Sequence, residues 1–352
     1  MYKTIPKIGM KHMQKLISFA VPCFNSAAYM RKCIDSLLKG GECVEVIIVN
    51  DGSTKDNTAE IADEYAAKYP NNVKAVHQRN AGHGGAVNAG LKHASGKYFK
   101  VVDSDDYLDE EALKAVIATL QKLEDAGTPV DGLITNYMYD KQGATHKKVI
   151  RYRSFFPQGR IFGWEEARKQ VLGQNLLMHS ITYRRQVLLD CGIVLPKHTF
   201  YVDNLMAYLP LPHMNKLYYL DVDLYRYFIG RDDQSVNESV MVKRQDQQLR
   251  VTEIMILQGN LKPSVGRKRR KYMMNYLNQI MMVSTVMFYV DGGEAALKKQ
   301  KDMWQLLKKT DKKVYSRLRR SLFGIVSHLP GKPGRKFLIW AYHQSQKIYG
   351  FN

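Results

Sequence analysis

Apolar and polar positions between residues 16 and 139 alternate between two rhythms. Short apolar runs recur at 16–21, 44–49, 73–77 and 98–102, as expected of strands. The segments between them, 27–38, 57–69 and 84–93, carry helix-like spacing. The second follows Asp51-Gly-Ser-Thr, where capping-type residues can open a helix. Strand and helix in strict alternation predict a parallel sheet covered by helices, an α/β fold. A helix over 109–124 and a strand over 132–137 extend the unit, after which the periodicity fades through residue 162.

Past Met241 the pattern becomes helical spacing interrupted by basic clusters: Arg267-Lys-Arg-Arg-Lys271, then 308–313 and 317–320. A boundary near residue 240 is expected, with an α/β domain over 1–240 and a helical, strongly basic region over 241–352. One uncharged stretch, 272–290, approaches the length of a membrane span. It holds Asn275, Asn278, Gln279, Ser284 and Thr285, which are costly against lipid, so a buried amphipathic helix is expected instead.

Composition sharpens this picture in two places. With 45% hydrophobic and 24% charged residues the chain belongs with folded proteins rather than disordered ones. The net charge of +20 is concentrated after residue 240, where 23 Lys and Arg face 6 Asp and Glu. That asymmetry suits an anionic membrane surface or a nucleic acid, or else a solvated basic face. Cys23, Cys33, Cys43 and Cys191 show no paired spacing, which fits a reducing cytosol. Lys3, Lys7, Lys11 and Lys15 precede any apolar run, so neither a signal peptide nor an anchor is expected.

Candidate chemistry sits at the strand tips, because ligands of open α/β sheets bind beyond the carboxyl ends of the strands. Val101-Val-Asp-Ser-Asp-Asp106 puts three carboxylates in four residues, and Asp103 and Asp105 can converge there on a hard divalent cation. Such an ion bridges phosphates and neutralises a diphosphate leaving group. Asp106 reads as a helix cap. Ile47-Ile-Val-Asn-Asp-Gly-Ser53 delivers Asp51 to a tight turn, where a carboxylate can meet a nucleobase or a ribose. In Gln78-Arg-Asn-Ala-Gly-His-Gly-Gly-Ala-Val-Asn-Ala-Gly90, glycines allow close approach of a ligand, Arg79 can meet a phosphate and Asn88 can fix the loop. No glycine stands at 87 and no Gly-Lys-Ser/Thr follows, which weighs against dinucleotide and P-loop folds.

Taken together the four tips resemble the family 2 nucleotide-sugar glycosyltransferases of the GT-A fold, of the bacterial cell-surface polysaccharide or teichoic acid type. The resemblance is specific over 16–139 and looser to about 240. It implies that Pro22, Phe24 and Asn25 of Val21-Pro-Cys-Phe-Asn25 cradle the nucleobase and that Asp51 contacts it. It further implies that Asp103-Ser104-Asp105 binds the diphosphate with Mn²⁺ or Mg²⁺, Asp105 being the direct ligand and Asp103 beside it. Arg79, Asn80 and Gly82 belong to the donor side, in a pattern from Asn80 to Gly90 with His83 inserted. Asp203 of His198-Thr-Phe-Tyr-Val-Asp-Asn204 corresponds to the general base, with Val202 where the family usually has Glu, and an N-cap is the alternative reading. Arg226, Arg231 and Ser235 are expected to close over the diphosphate, and His179 to line the acceptor pocket.

The implied function is inverting transfer from a UDP-sugar to a lipid-linked or polymeric cell-surface glycan. The expected setting is the cytoplasm, peripheral on the inner membrane face and held there by the Arg267–Lys271 cluster. No nucleic acid partner is expected, and pairing of copies through C-terminal helices is compatible with the sequence. A nucleotidyltransferase and a noncatalytic polyanion-binding protein are the alternatives.

Overall fold

A computed structural model describes residues 14–141, 148–170, 174–229, 238–259 and 261–349. The strands are β1 (Ile17–Cys23), β2 (Val44–Asn50), β3 (Val73–His77), β4 (Tyr98–Val101), β5 (Tyr107–Leu108), β6 (Gly132–Lys141), β7 (Val149–Ile150), β8 (Ile161–Phe162), β9 (Ile181–Arg184) and β10 (Leu217–Ile229). The first four helices are α1 (Met30–Leu38), α2 (Thr58–Lys68), α3 (Gly82–His93) and α4 (Glu110–Asp125). The short α5 (Arg185–Cys191) and α6 (Asp203–Tyr208) follow. The C-terminal region holds α7 (Glu238–Lys243), α8 (Gln245–Gln258), α9 (Arg267–Asp291), α10 (Glu294–Thr310), α11 (Lys312–Arg319), α12 (Leu322–Val326) and α13 (Gly331–Tyr349).

One sheet runs in the order β3-β2-β1-β4-β9-β6-β10-β5 and is largely parallel. β1 lies parallel to β2 from Ile17 opposite Val44 to Cys23 opposite Asn50, so both strands deliver their tips to the same edge. β4 joins on the other side of β1, also parallel. The short β9 runs antiparallel between β4 and β6 and fastens the first half of the sheet to the second. Every residue of β1 and β2 is buried, which is why their apolar runs are continuous rather than alternating. The expected helix at 27–38 starts only at Met30. Ahead of it, the Ala27 and Ser26 amides donate to Asp56 and Thr58 side chains, which holds the chain in a turn.

The same hydrophobic core continues into the C-terminal region, where Val251, Met255, Tyr272, Met273, Tyr276, Leu277 and Met281 join it. Residues 272–290 lie within α9 as a buried helix, and no helix among the described residues is long and apolar enough to cross a membrane. The cluster at 267–271 departs from its expected role as a membrane patch. Lys268 donates to the carbonyls of Glu165 and Ala167, and Arg269 to those of Leu211 and Pro212. Arg270 donates to that of Leu261. Three of these five cations therefore clamp the start of α9 onto the rest of the chain; Arg267 and Lys271 are exposed, as is Lys268.

Candidate active site

The parallel tips of β1, β2 and β4 converge on a polar centre built around Asp103. His83 Nε2, from the first turn of α3, lies 2.8 Å from Asp103 Oδ1. His179 Nε2 lies 3.8 Å from Asp103 Oδ2. Asp203 stands in the first turn of α6, where the charges of His83 and Asp103 both act on it. α6 is held from below by α9, whose Tyr276 hydroxyl donates to Asn204 Oδ1 at 3.1 Å. The carboxylate that the sequence suggests as a base, Asp203, thus comes together with Asp103, which it suggests as a metal ligand, from two separated segments.

Burial and charge oppose each other here. Burial pulls the His83 imidazolium down, but the Asp103 charge and hydrogen bond outweigh it and raise its pKa. Burial likewise raises Asp103, but the His83 interaction dominates and holds it below the usual carboxylate range. Asp203 is raised by burial first; His83 lowers it, and the nearby Asp103 charge raises it further. Asp106 is pushed far up by burial and by the charges of Asp105 and Asp103.

Asp106 is not the helix cap it resembles: Asp109 caps α4 by accepting from the Ala112 amide. Asp106 is instead buried, accepting from the Tyr225 hydroxyl at 2.6 Å and the Phe228 amide at 2.8 Å. Asp103, Asp106 and His179 each offer a ligand atom within 4.8 Å of the others. Asp105 is outside that group of three. His179 is 5% exposed and both its ring nitrogens lack a hydrogen-bond partner, while burial pulls its pKa down to about 4. A neutral imidazole with orphaned nitrogens beside two carboxylates suits a divalent cation.

Two further groups support this centre. Lys100 is wholly buried on β4; its Nζ donates to the carbonyls of His179 at 2.7 Å and Ile181 at 3.3 Å, and burial pulls it down to about 7. Tyr225 and Tyr227 face the His179 ring at centroid distances of 4.6 and 4.7 Å. A lysine inside the run Tyr98-Phe-Lys-Val-Val102 is the sequence signal for the first, since a cation seldom enters a buried strand without carbonyls to meet it.

The remaining predicted positions divide. Phe24 is exposed at the tip of β1, and Pro22 is buried within that strand. Asn25 has φ of +49° and uses its Oδ1 to hold the amides of Thr54 and Lys55. Ser104 donates to Ser26 Oγ at 2.9 Å, linking the Asp103 turn to the β1 tip. Asp51 is buried; its Oδ1 accepts from Gln78 Nε2 and the Ala81 amide, and its carbonyl accepts from Asn80 Nδ2. Arg79 is exposed beside them. Arg226 points to the other face of β10 from Tyr225 and Tyr227 and pairs with Asp109 at 2.7 Å, so it does not join the Asp103 centre. Arg231 and Ser235 lie outside the described residues.

Gly82 and Gly84 serve close packing. Gly82 has φ of +73°, and a Cβ there would sit 2.8 Å from the His198 amide nitrogen; at Gly84 it would sit 2.5 Å from the Pro196 carbonyl oxygen. They let α3 press against 195–198, a contact that Asn88 completes with paired hydrogen bonds to Leu195. Gly82→Ala is expected to cost about 2 kcal/mol or more from the left-handed backbone and the clash. A urea unfolding curve measures it, and an unchanged midpoint would contradict this packing.

Glycosyl transferase family 2, as a family description, matches residues 18–184. Glycosyltransferase GlyG of Streptococcus pneumoniae is 38% identical over 132 residues, which cover 37% of this chain and 42% of that protein. The putative glycosyltransferase EpsH of Bacillus subtilis is 38% identical over 122 residues, covering 34% of this chain and 33% of that one. The matched stretch is thus less than half the length of these relatives. In fold, the chain resembles S. aureus TarS 1–349 in its complex with UDP-GlcNAc, at a TM-score of 0.63 and 20% identity over 94% of this chain and 92% of the other. Residues 18–184 thus match glycosyl transferase family 2, and nearly the whole chain has the GT-A fold.

Proposed function

We propose that the protein transfers a sugar, with inversion, from a UDP-sugar to a hydroxyl of a lipid-linked or polymeric cell-surface glycan. The observation that carries this reading is the convergence of Asp103, Asp106, His83 and Asp203 at the tips of parallel strands. In this reading the β1 tip, with Pro22, Phe24 and Asn25, receives the nucleoside, and the turn ordered by Asp51 borders it. The relative TarS, whose structure holds UDP-GlcNAc, supports a uridine donor. Residues 1–240 supply the donor site, and 241–352 contribute acceptor or membrane-side contacts on the cytoplasmic face.

Asp203 takes the proton from the acceptor hydroxyl as its oxygen bonds to the anomeric carbon. The bond from that carbon to the diphosphate breaks, and its electron pair leaves with UDP. Asp103, Asp105, Asp106 and His179 are the residues that would hold Mn²⁺ or Mg²⁺, which when bound neutralises charge on the diphosphate. His83 keeps Asp103 ionised, and Lys100 fixes the backbone that carries His179.

Calorimetric titration with a panel of UDP-sugars, with Mn²⁺ or with chelator, tests the donor site. Binding of a uridine nucleotide is expected, weakened about tenfold or more by chelator and by Asp105→Asn. Absence of binding to any nucleotide would overturn the reading.

A further inference from the structure

The last helices carry a surface that the donor site does not use. From Lys312 to Asn352 the sequence contains nine Lys and Arg and neither Asp nor Glu. Within that acid-free run, α12 and α13 pack inward against α9 through Val326 and Leu338, beside Val286 and Met287. Their other sides expose large apolar groups: Leu322 at 74%, Ile325 at 51%, Phe337 at 48% and Trp340 at 57%. Phe337 and Trp340 lie one helical turn apart with ring centroids at 5.9 Å. Arg320, Lys332 and Lys336 are exposed beside these groups.

We infer that the outer face of the α12–α13 pair docks on an anionic lipid bilayer surface. Trp and Phe are the side chains that settle at the boundary between headgroups and acyl chains. The flanking cations meet the negative headgroups, and no carboxylate in the segment repels them. A second copy of this chain would bring the same cations face to face and is disfavoured by like charge. The helices lie on the surface rather than through it, since none described is long and apolar enough to cross. This replaces Arg267–Lys271 as the membrane contact, because the inner three of those cations already hold carbonyls. The inference rests on the membrane-side part of the proposed function and is independent of the donor site.

The full chain reports on this contact by itself. Of its three tryptophans, Trp164 and Trp304 are buried and Trp340 is exposed. Adding vesicles of phosphatidylcholine with roughly one-third phosphatidylglycerol is expected to shift the tryptophan emission to the blue and to float the protein, more so at low salt. Phosphatidylcholine alone is expected to do neither. Phe337→Ser with Trp340→Ser, and separately Lys332→Gln with Lys336→Gln, are expected to lower the bound fraction about tenfold. Arg267→Gln with Lys271→Gln is expected to change it little. Thermal melts and the donor titration check that each variant is folded, so a lost donor site and a lost membrane face are read separately. No emission shift and no flotation of the folded wild-type chain on anionic vesicles would overturn the inference. So would a dimer in sedimentation equilibrium that the Phe337/Trp340 variant dissociates while vesicle binding is unchanged.

Discussion

Asp203→Asn is expected to abolish sugar transfer while leaving the UDP-sugar bound. The amide keeps the size and much of the hydrogen bonding of the carboxylate, so the first turn of α6 and its Asn204–Tyr276 tether remain. What disappears is the acceptor for the hydroxyl proton, and general-base removal costs about 10²–10⁴ in rate. The loss falls on kcat, with the donor affinity from calorimetry nearly unchanged. The pH profile separates a base from a structural residue. Burial raises Asp203 above the ordinary aspartate value of 3.8. The base works only when ionised, so the rate of the wild-type protein falls as pH drops through that raised pKa. Its acid limb is therefore expected at higher pH than an ordinary aspartate would give. In Asp203→Asn the residual rate loses this limb. A variant that keeps wild-type kcat, or keeps the same acid limb at a reduced rate, would remove Asp203 from the reaction.

The parts of the fold that were legible in the sequence are those where one physical pattern dominates. β1, β2 and β4 are buried along their whole length, so their largely apolar runs announce strands, whereas β3 is only partly buried and its run is mixed. β10 was hidden because Leu217-Tyr-Tyr-Leu-Asp-Val-Asp-Leu-Tyr-Arg-Tyr-Phe-Ile229 mixes acidic and aromatic residues and shifts register against β6 at 219–225. β9 has only four residues and draws its identity from being inserted between β4 and β6.

The same distinction applies to the site. The Asp103 turn was legible because three carboxylates in four residues are unusual at a strand end. The neighbourhood of His179 was not, because only the β9 insertion brings it over Lys100 and beside Asp103. Charge runs were the least informative signal. Nothing in Arg267-Lys-Arg-Arg-Lys271 reveals that carbonyls from 165–167, 211–212 and 261 stand opposite it.

Glu45→Ala is expected to destabilise the fold by about 3–5 kcal/mol without touching the donor site, a large share of the roughly 5–15 kcal/mol typical of a native protein. Glu45 is 2% exposed on β2, at the end of the sheet away from the Asp103 centre. Its Oε1 accepts from Ser18 Oγ at 2.5 Å, Ser95 Oγ at 2.9 Å and the amides of Ser95 at 2.5 Å and Gly96 at 3.0 Å. Its Oε2 accepts from Lys74 Nζ at 2.8 Å. One side chain thus joins β1, β2, β3 and the turn before β4; truncation takes the acceptor from the Ser95 amide and leaves the Gly96 amide with Ser18 Oγ alone. Glu45→Gln keeps a carbonyl oxygen for those donors and loses the charge, so a smaller loss is expected. The pH dependence identifies the charge as the source. Burial pushes this carboxyl up, but the bonds from Lys74, Ser18 and Ser95 outweigh it and hold its pKa below the ordinary 4.5. A group depressed in the folded state stabilises fully above its unfolded pKa and loses that contribution as pH falls through the folded one. The gap in urea midpoint between wild type and Glu45→Gln is therefore expected to be widest near neutral pH and to close in acid. A gap that stays constant across that range would show that hydrogen-bond geometry, rather than the carboxylate charge, holds this end of the sheet together.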